Sequence, residues 1–249
     1  MVKNILLKLA YDGSKFSGFQ AQKDEVTVAE ELEKAILKVT GFPSRVIAAG
    51  RTDAGVHACA QVVNFLTASS IPPEAFQYKL VKYLPDSIRI LVSKEVPLTF
   101  HARFARHRKH YRYVIHNDAY MHPIYNNYLC HVTYKLDQAM MQEAAKYLVG
   151  EHDFRSFLKY GEEKSTVRRI DSIEVSSKGN RLMIDFVGES FLHNQVRIMV
   201  GTLVNVGRGL WPPDRVKEIL GSKDRLKSGM TYPASGLYLM DIDYEAYDV

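Results

Sequence analysis

Cysteine is scarce in this 249-residue chain: Cys59 and Cys130 are the only two. Two isolated thiols exclude a disulfide framework and a thiolate zinc site, and both read as buried apolar residues. Long hydrophobic runs are missing as well, so no membrane-spanning helix is expected. The opening Met1–Ala10 is interrupted by Lys8 and runs directly into Asp12-Gly13. It therefore lacks the apolar region and cleavage site of a secretory signal, and a cytoplasmic location is expected. Low-complexity linkers do not occur, and acidic residues are in deficit, at 28 Asp and Glu against 33 Lys and Arg. The resulting net charge of +5 and pI near 9.0 point to a polyanionic partner, with nucleic acid the leading candidate. A composition 46% hydrophobic and 24% charged belongs to a soluble globular protein of one large or two modest domains.

Short alternating segments take turns with helical ones. Ile5, Leu7, Leu9 and Tyr11 recur at period two, which predicts a strand with one buried face, ended by Asp12-Gly13. Thr27 and Glu30 form a capping box for a helix whose stripe is Val28, Leu32, Ala35, Ile36 and Val39, stopping before Gly41 and Pro43. A strand follows over 61–66, then a helix from Pro73 to about Tyr83 with Phe76, Leu80 and Leu84 on one face. In the second half Asp137 caps a helix with Met140, Ala144, Tyr147 and Leu148 inward and Gly150 at its end. Segments 169–175 and 181–186 predict a hairpin around Lys178-Gly179-Asn180. Leu192, Val196, Met199, Leu203 and Val206 fall at helical spacing, with Gly207 as the stop, and Pro212-Pro213 opens a short helix. The pattern predicts an α+β protein of two domains, 1–104 and 105–249.

Chemistry concentrates in four places. Gly50-Arg51-Thr52-Asp53-Ala54-Gly55-Val56-His57-Ala58-Cys59 sets one carboxylate on a tight turn; taken alone, Asp53 could simply satisfy its own turn. From His101 to Tyr113, Arg103, Arg106, Arg108, Lys109 and Arg112 occur with no acid among them, interleaved with Phe104, Tyr111, Tyr113 and three histidines. Cations contact phosphates and aromatic faces stack on unpaired bases, so this segment suits RNA; the alternative is a strand with a solvated basic face. A metal site here is disfavoured by the surrounding positive charge. In Gly188–Gly201, helical geometry sets His193, Arg197 and Gly201 on one line, and Gly201 permits close approach of another backbone, as for a helix pressed on the other domain. Arg197 either pairs with a surface acid or serves a site. Tyr232–Leu239, which includes Leu237, fits ordinary strand packing.

The Gly-Arg-Thr-Asp-Ala-Gly-Val-His-Ala string resembles the signature of the TruA family of pseudouridine synthases, which isomerise uridines in the anticodon arm of tRNA. Three further segments are similar to that family's motifs in the same order: Tyr11-Asp12-Gly13-Ser14-Lys15-Phe16-Ser17-Gly18-Phe19-Gln20-Ala21-Gln22, Phe191–Gly201 and Tyr232–Leu239. Phe16, Phe19 and Ala29 depart from the family's usual Tyr, Trp and Gln, which leaves a divergent synthase with a different RNA target as an alternative reading.

The resemblance implies two domains of related topology joined across a basic cleft, with Asp53 as catalyst and Arg197 as its ion-pair partner. It also implies Tyr111 against the target uracil with Tyr113 its rival at period two, Arg51 holding the vacated base position, and Leu237 lining the pocket. It further implies a homodimer acting on positions 38, 39 and 40 of tRNA with neither cofactor nor metal. Two other readings stand beside it. A catalytically idle RNA chaperone on the same fold is opposed by the intact Asp53, Tyr111 and Arg197. A cysteine hydrolase built on Cys59 and His57 is opposed by their near adjacency and the lack of an oxyanion motif.

Overall fold

A computed structural model describes residues 1–159 and 165–247. The fold is α+β, in two compact units: Met1–His107 together with Leu239 onward, and Arg108–Tyr238. A single cut at 104/105 does not reproduce these units, because the chain returns to the first one at its end. Lys8 Nζ pairs there with Asp241 at 3.0 Å, and the Tyr244 hydroxyl donates to Ala102 O at 2.6 Å.

The first unit is built on three long strands, β1 (Lys3–Tyr11), β3 (His57–Thr67) and β4 (Ile88–Val96), with β1 in the middle and antiparallel to both neighbours. A two-residue strand, β2 (Ile47–Ala48), adds to β3. Strand β4 has no counterpart in the sequence reading. Its buried positions Ile88, Ile90, Ser93 and Val96 lose strict alternation where the pairing with β1 slips between Lys8 and Leu9. As the central strand, β1 is also buried on more than one face: Asn4 and Leu6 are covered as well as Ile5 and Leu7.

Two helices complete this unit, α1 (Val28–Thr40) and α2 (Phe76–Val81). Thr27 caps α1 through the Glu30 N–H at 3.4 Å, while the Glu30 carboxylate turns to Lys34. Gly41 ends the helix at φ 76, a conformation that glycine adopts without a Cβ penalty. Phe76 packs edge-on against Phe65 of β3, 5.5 Å between ring centres, with both side chains fully buried. Each ring contributes about 2–3 kcal/mol of burial.

In the second unit β5 (His107–Asn117), β9 (Arg181–Gly188), β8 (Val167–Lys178) and β7 (Gly150–Asp153) form an antiparallel run in that order, with β6 (Cys130–Val132) parallel to β5. The predicted hairpin is β8–β9, turning at Gly179 with φ 60. Strands β6 and β7 are too short to show a period. The helices are α3 (Gln138–Ala145), α4 (Gln195–Gly207) and α5 (Arg215–Ser222), and the last strand, β10 (Leu237–Tyr244), carries the chain back to the first unit.

Three expectations change here. Asp137 caps α3 through the Met140 N–H, and Ala144 and Leu148 are buried as expected, but Met141 and Ala145 take the inward places expected of Met140 and Tyr147, which are half-buried. Helix α4 is covered on nearly every side rather than along one stripe. Cys59 is exposed on β3, whereas Cys130 is buried as read from the sequence. Among the described residues no helix is long and apolar enough to cross a membrane.

Candidate functional site

Asp53 lies on the loop that feeds β3, half-buried, between exposed Arg51 and Ala54 and buried Thr52 and Val56. The turn closes on itself through Val56 N–H to Asp53 O at 3.1 Å, and Gly55 takes φ 79. A second loop, 12–19, braces it. The Tyr11 and Thr52 hydroxyls are 2.7 Å apart, Phe19 N–H donates to Thr52 O at 3.1 Å, and Gly13 N–H donates to His57 Nδ1 at 3.1 Å.

Glycine is required where these loops touch. A Cβ on Gly13 would stand 2.0 Å from Val56 O, and one on Gly18, already at φ 105, would stand 3.0 Å from Thr52 O. The pairing of β1 with β3 is irregular between Leu9 and Tyr11, and such a bulge re-aims the side chain that follows it. From below, buried Gln61 donates to Gly50 O at 2.9 Å and fixes the start of the turn.

The departures at 16, 19 and 29 fall inside this brace. Phe16 and Phe19 are buried at 6.5 and 6.4 Å from the Tyr11 ring, and the Ala29 N–H donates to Phe19 O at 2.9 Å. Together with Val28 N–H to Gly18 O, that bond satisfies donors in the first turn of α1 that have no partner within the helix. Burial pushes the Tyr11 hydroxyl up to about 12, against the lowering effect of its bonds to Thr52 and Gln61. It is therefore a neutral phenol at physiological pH.

The basic segment is divided by the unit boundary. Arg103 and Arg106 are exposed in the first unit, Arg106 reaching Glu245 at 3.3 Å. Arg108, Lys109 and Arg112 lie on β5 in the second, and strand alternation separates them. Lys109, Tyr111 and Tyr113 are buried on one face, while Arg108, His110 and Arg112 share the other. Acids absent from the segment arrive from neighbouring strands. Asp185, opposite Arg112 in register, takes both arms of its guanidinium at 2.9 and 3.2 Å, and Asp171 takes Arg108 at 3.1 Å.

The two tyrosines differ in their surroundings. Tyr113 is a core residue: its hydroxyl donates to Pro233 O at 2.7 Å, and Gly236 lies so close that a Cβ would meet the ring at 2.8 Å. Burial raises that hydroxyl well above its ordinary pKa. Tyr111 packs edge-on against half-buried Phe191 at 5.3 Å and keeps 8% of its surface.

Arg197, on α4, donates from Nε to Tyr232 O and from Nη1 to Asn194 Oδ1, both at 2.7 Å. The Tyr232 N–H returns a bond to Arg197 O at 3.2 Å. The second unit thus gathers Arg197, the Tyr232–Gly236 stretch and Tyr113, with Leu237 buried next in the chain. His193 does not share the helix line with Arg197, because Asn194 at φ 60 precedes the first turn. The close approach at Gly201 is made by this same unit: a Cβ there would stand 2.0 Å from Met230 O. Sequence reasoning missed Gln61 and Asn194, whose roles depend on bonds that composition does not announce.

The model of the tRNA pseudouridine synthase family matches residues 9–105 and 144–245. This chain belongs to that family, in its TruA branch. A tRNA pseudouridine synthase A from Brevibacillus brevis is 47% identical over 246 residues, covering 98% of this chain and all of the relative. Proteins of the same name from Thermoanaerobacter sp. and, as synthase A 2, from Clostridium tetani are 44% and 45% identical, again over 98% of this chain and their whole lengths. The matched residues include the braced Asp53 turn, the start of the basic segment, Arg197 and the Tyr232–Leu239 stretch, while Arg106 to Tyr113 lie between the two matched spans.

Proposed function

We propose that this TruA-family protein converts uridine to pseudouridine at positions 38, 39 and 40 in the anticodon stem-loop of tRNA, with the Asp53 carboxylate as catalyst and no cofactor. Family membership supplies the coarse reaction, uridine isomerisation in tRNA. The finer reading is carried by one observation, a single carboxylate held on a turn that four separate hydrogen bonds immobilise.

The chemistry needs little more. The C1′–N1 bond breaks, the uracil turns within the site, C1′ joins C5, the C5 proton leaves to solvent and N1 regains one. No electron is gained or lost, so no redox partner enters the balance. An ionised carboxylate serves as nucleophile toward C1′ or C6, or as base toward the sugar. In this reading Arg197 is the cationic partner that aims the Asp53 carboxylate, Tyr111 packs on the uracil, Leu237 lines the pocket, and Arg51 holds the place of the everted base. Arg103, Arg106, Arg108 and Arg112 contact RNA phosphates, whereas Lys109 is buried on the Tyr111 face of β5. The protein works in the cytoplasm as a homodimer.

tRNA tritiated at uracil C5 tests this directly. Release of label, with new pseudouridines mapping to positions 38, 39 and 40, is expected. Release with modifications elsewhere would redirect the substrate, and binding without release would favour an RNA chaperone.

A further inference from the structure

The first unit presents an exposed turn, His101–Phe104, that catalysis does not use. Phe104 is 75% exposed, yet its ring is not loosely placed: it stacks on His101 with centres 4.4 Å apart and planes 27° apart. The Phe104 and Ala105 N–H groups donate to His101 O at 3.0 and 2.9 Å, which sets the two rings on the same side of one turn.

That turn is anchored in the core. Ala102 N–H donates to Asn64 Oδ1 at 2.8 Å, and Ala102 O accepts from the Tyr244 hydroxyl at 2.6 Å. Asn64 also donates to Asn4, and Asn4 holds Pro97 O and Phe100 O at 3.0 and 2.9 Å. Phe100, buried between Tyr244 and Tyr247, pins the entry to the turn. Positive charge lies beside the rings: Arg103 Cζ is 5.7 Å from the Phe104 centroid, and exposed Arg106 follows two residues later.

From this geometry, and resting on the reading of tRNA as substrate, we infer that the His101–Phe104 stack is a platform for one unpaired nucleobase of the RNA. A planar pair that ends in an exposed ring extends by adding a third planar ring, and adjacent cations select a planar group attached to phosphate. Preorganisation by the Asn4–Asn64 pair lowers the ordering cost of binding. A paired base offers no free face, so a duplex gains nothing from the platform.

The test compares wild type, Phe104→Leu and Phe104→Trp for binding to an anticodon-type stem-loop and to a blunt RNA duplex of equal phosphate number. Phe104→Leu is expected to lose about tenfold in affinity for the stem-loop and nothing for the duplex. Phe104→Trp is expected to bind as wild type does, with indole emission quenched by the stem-loop beyond the background of Trp211. All three should melt together. Unchanged stem-loop affinity in Phe104→Leu, or equal losses on both RNAs, overturns the platform while wild type still releases tritium from tRNA. If wild type releases none, the substrate reading fails and the platform falls with it.

Discussion

The Tyr11 hydroxyl lies 2.7 Å from Thr52 Oγ1, one residue before Asp53. Tyr11 ends β1 and Thr52 precedes β3, so this contact ties the candidate catalytic turn to the centre of its sheet. Tyr11→Phe is expected to lower stability by about 1 kcal/mol and single-turnover kcat by about tenfold, with KM little changed. Melting curves and single-turnover rates on tRNA check this; a wild-type rate would mean the bond is structural only.

Alkaline stability follows from the same residue. An unfolded tyrosine ionises near pH 10, whereas burial holds folded Tyr11 protonated to about 12. Between those values the unfolded state loses its proton first, so stability falls as pH rises through that window and is intact below it. Urea unfolding at several pH values from 9 to 11.5 should show the decline, and Tyr11→Phe should make it shallower by roughly 1.4 kcal/mol per pH unit. Tyr232, also raised to about 12 by burial, adds a parallel contribution.

Gly201 and Gly229 cross at backbone distance. A Cβ on Gly229 would stand 2.4 Å from Gly201 C, and one on Gly201 would stand 2.0 Å from Met230 O. Gly201→Ala is expected to cost about 3 kcal/mol and to shift the stretch that receives Arg197 Nε. Chemical denaturation measures the first effect, and loss of turnover in the fraction that remains folded measures the second.

The basic segment should not act uniformly. Arg112 is engaged by Asp185 through both arms, whereas Arg103 is exposed with its guanidinium near the Phe104 ring. Arg103→Ala is expected to lower the slope of log affinity against log salt by about 0.9, one phosphate contact. Arg112→Ala should change that slope less and lower stability more, because it strips both guanidinium bonds from the half-buried Asp185 and leaves it the His110 ring. Equal slopes for the two variants would contradict this division.

What the sequence made legible was local. The Asp53 turn, the Thr27 cap and the β8–β9 hairpin each rest on neighbours within a few residues, where turn chemistry and period decide the outcome. The Asp137 cap does not reveal that Met141 rather than Met140 turns inward, because a cap fixes where a helix begins more firmly than which face it buries. On α4, burial on every side erased the contrast a stripe needs. Helical spacing alone sets His193 in line with Arg197, because nothing in the letters reveals that Asn194 turns left-handed. The acids that meet Arg108 and Arg112, and the Asn4–Asn64 pair, join residues some sixty or more positions apart. Such pairings are set by strand register, which a single sequence does not display.

The most direct test of the central claim is tritium release from C5-labelled tRNA by Asp53→Asn. An amide keeps the shape and lacks the charge, so tRNA affinity close to wild type with release reduced at least ten-thousandfold is the predicted result. Release at the wild-type rate would remove Asp53 from the chemistry.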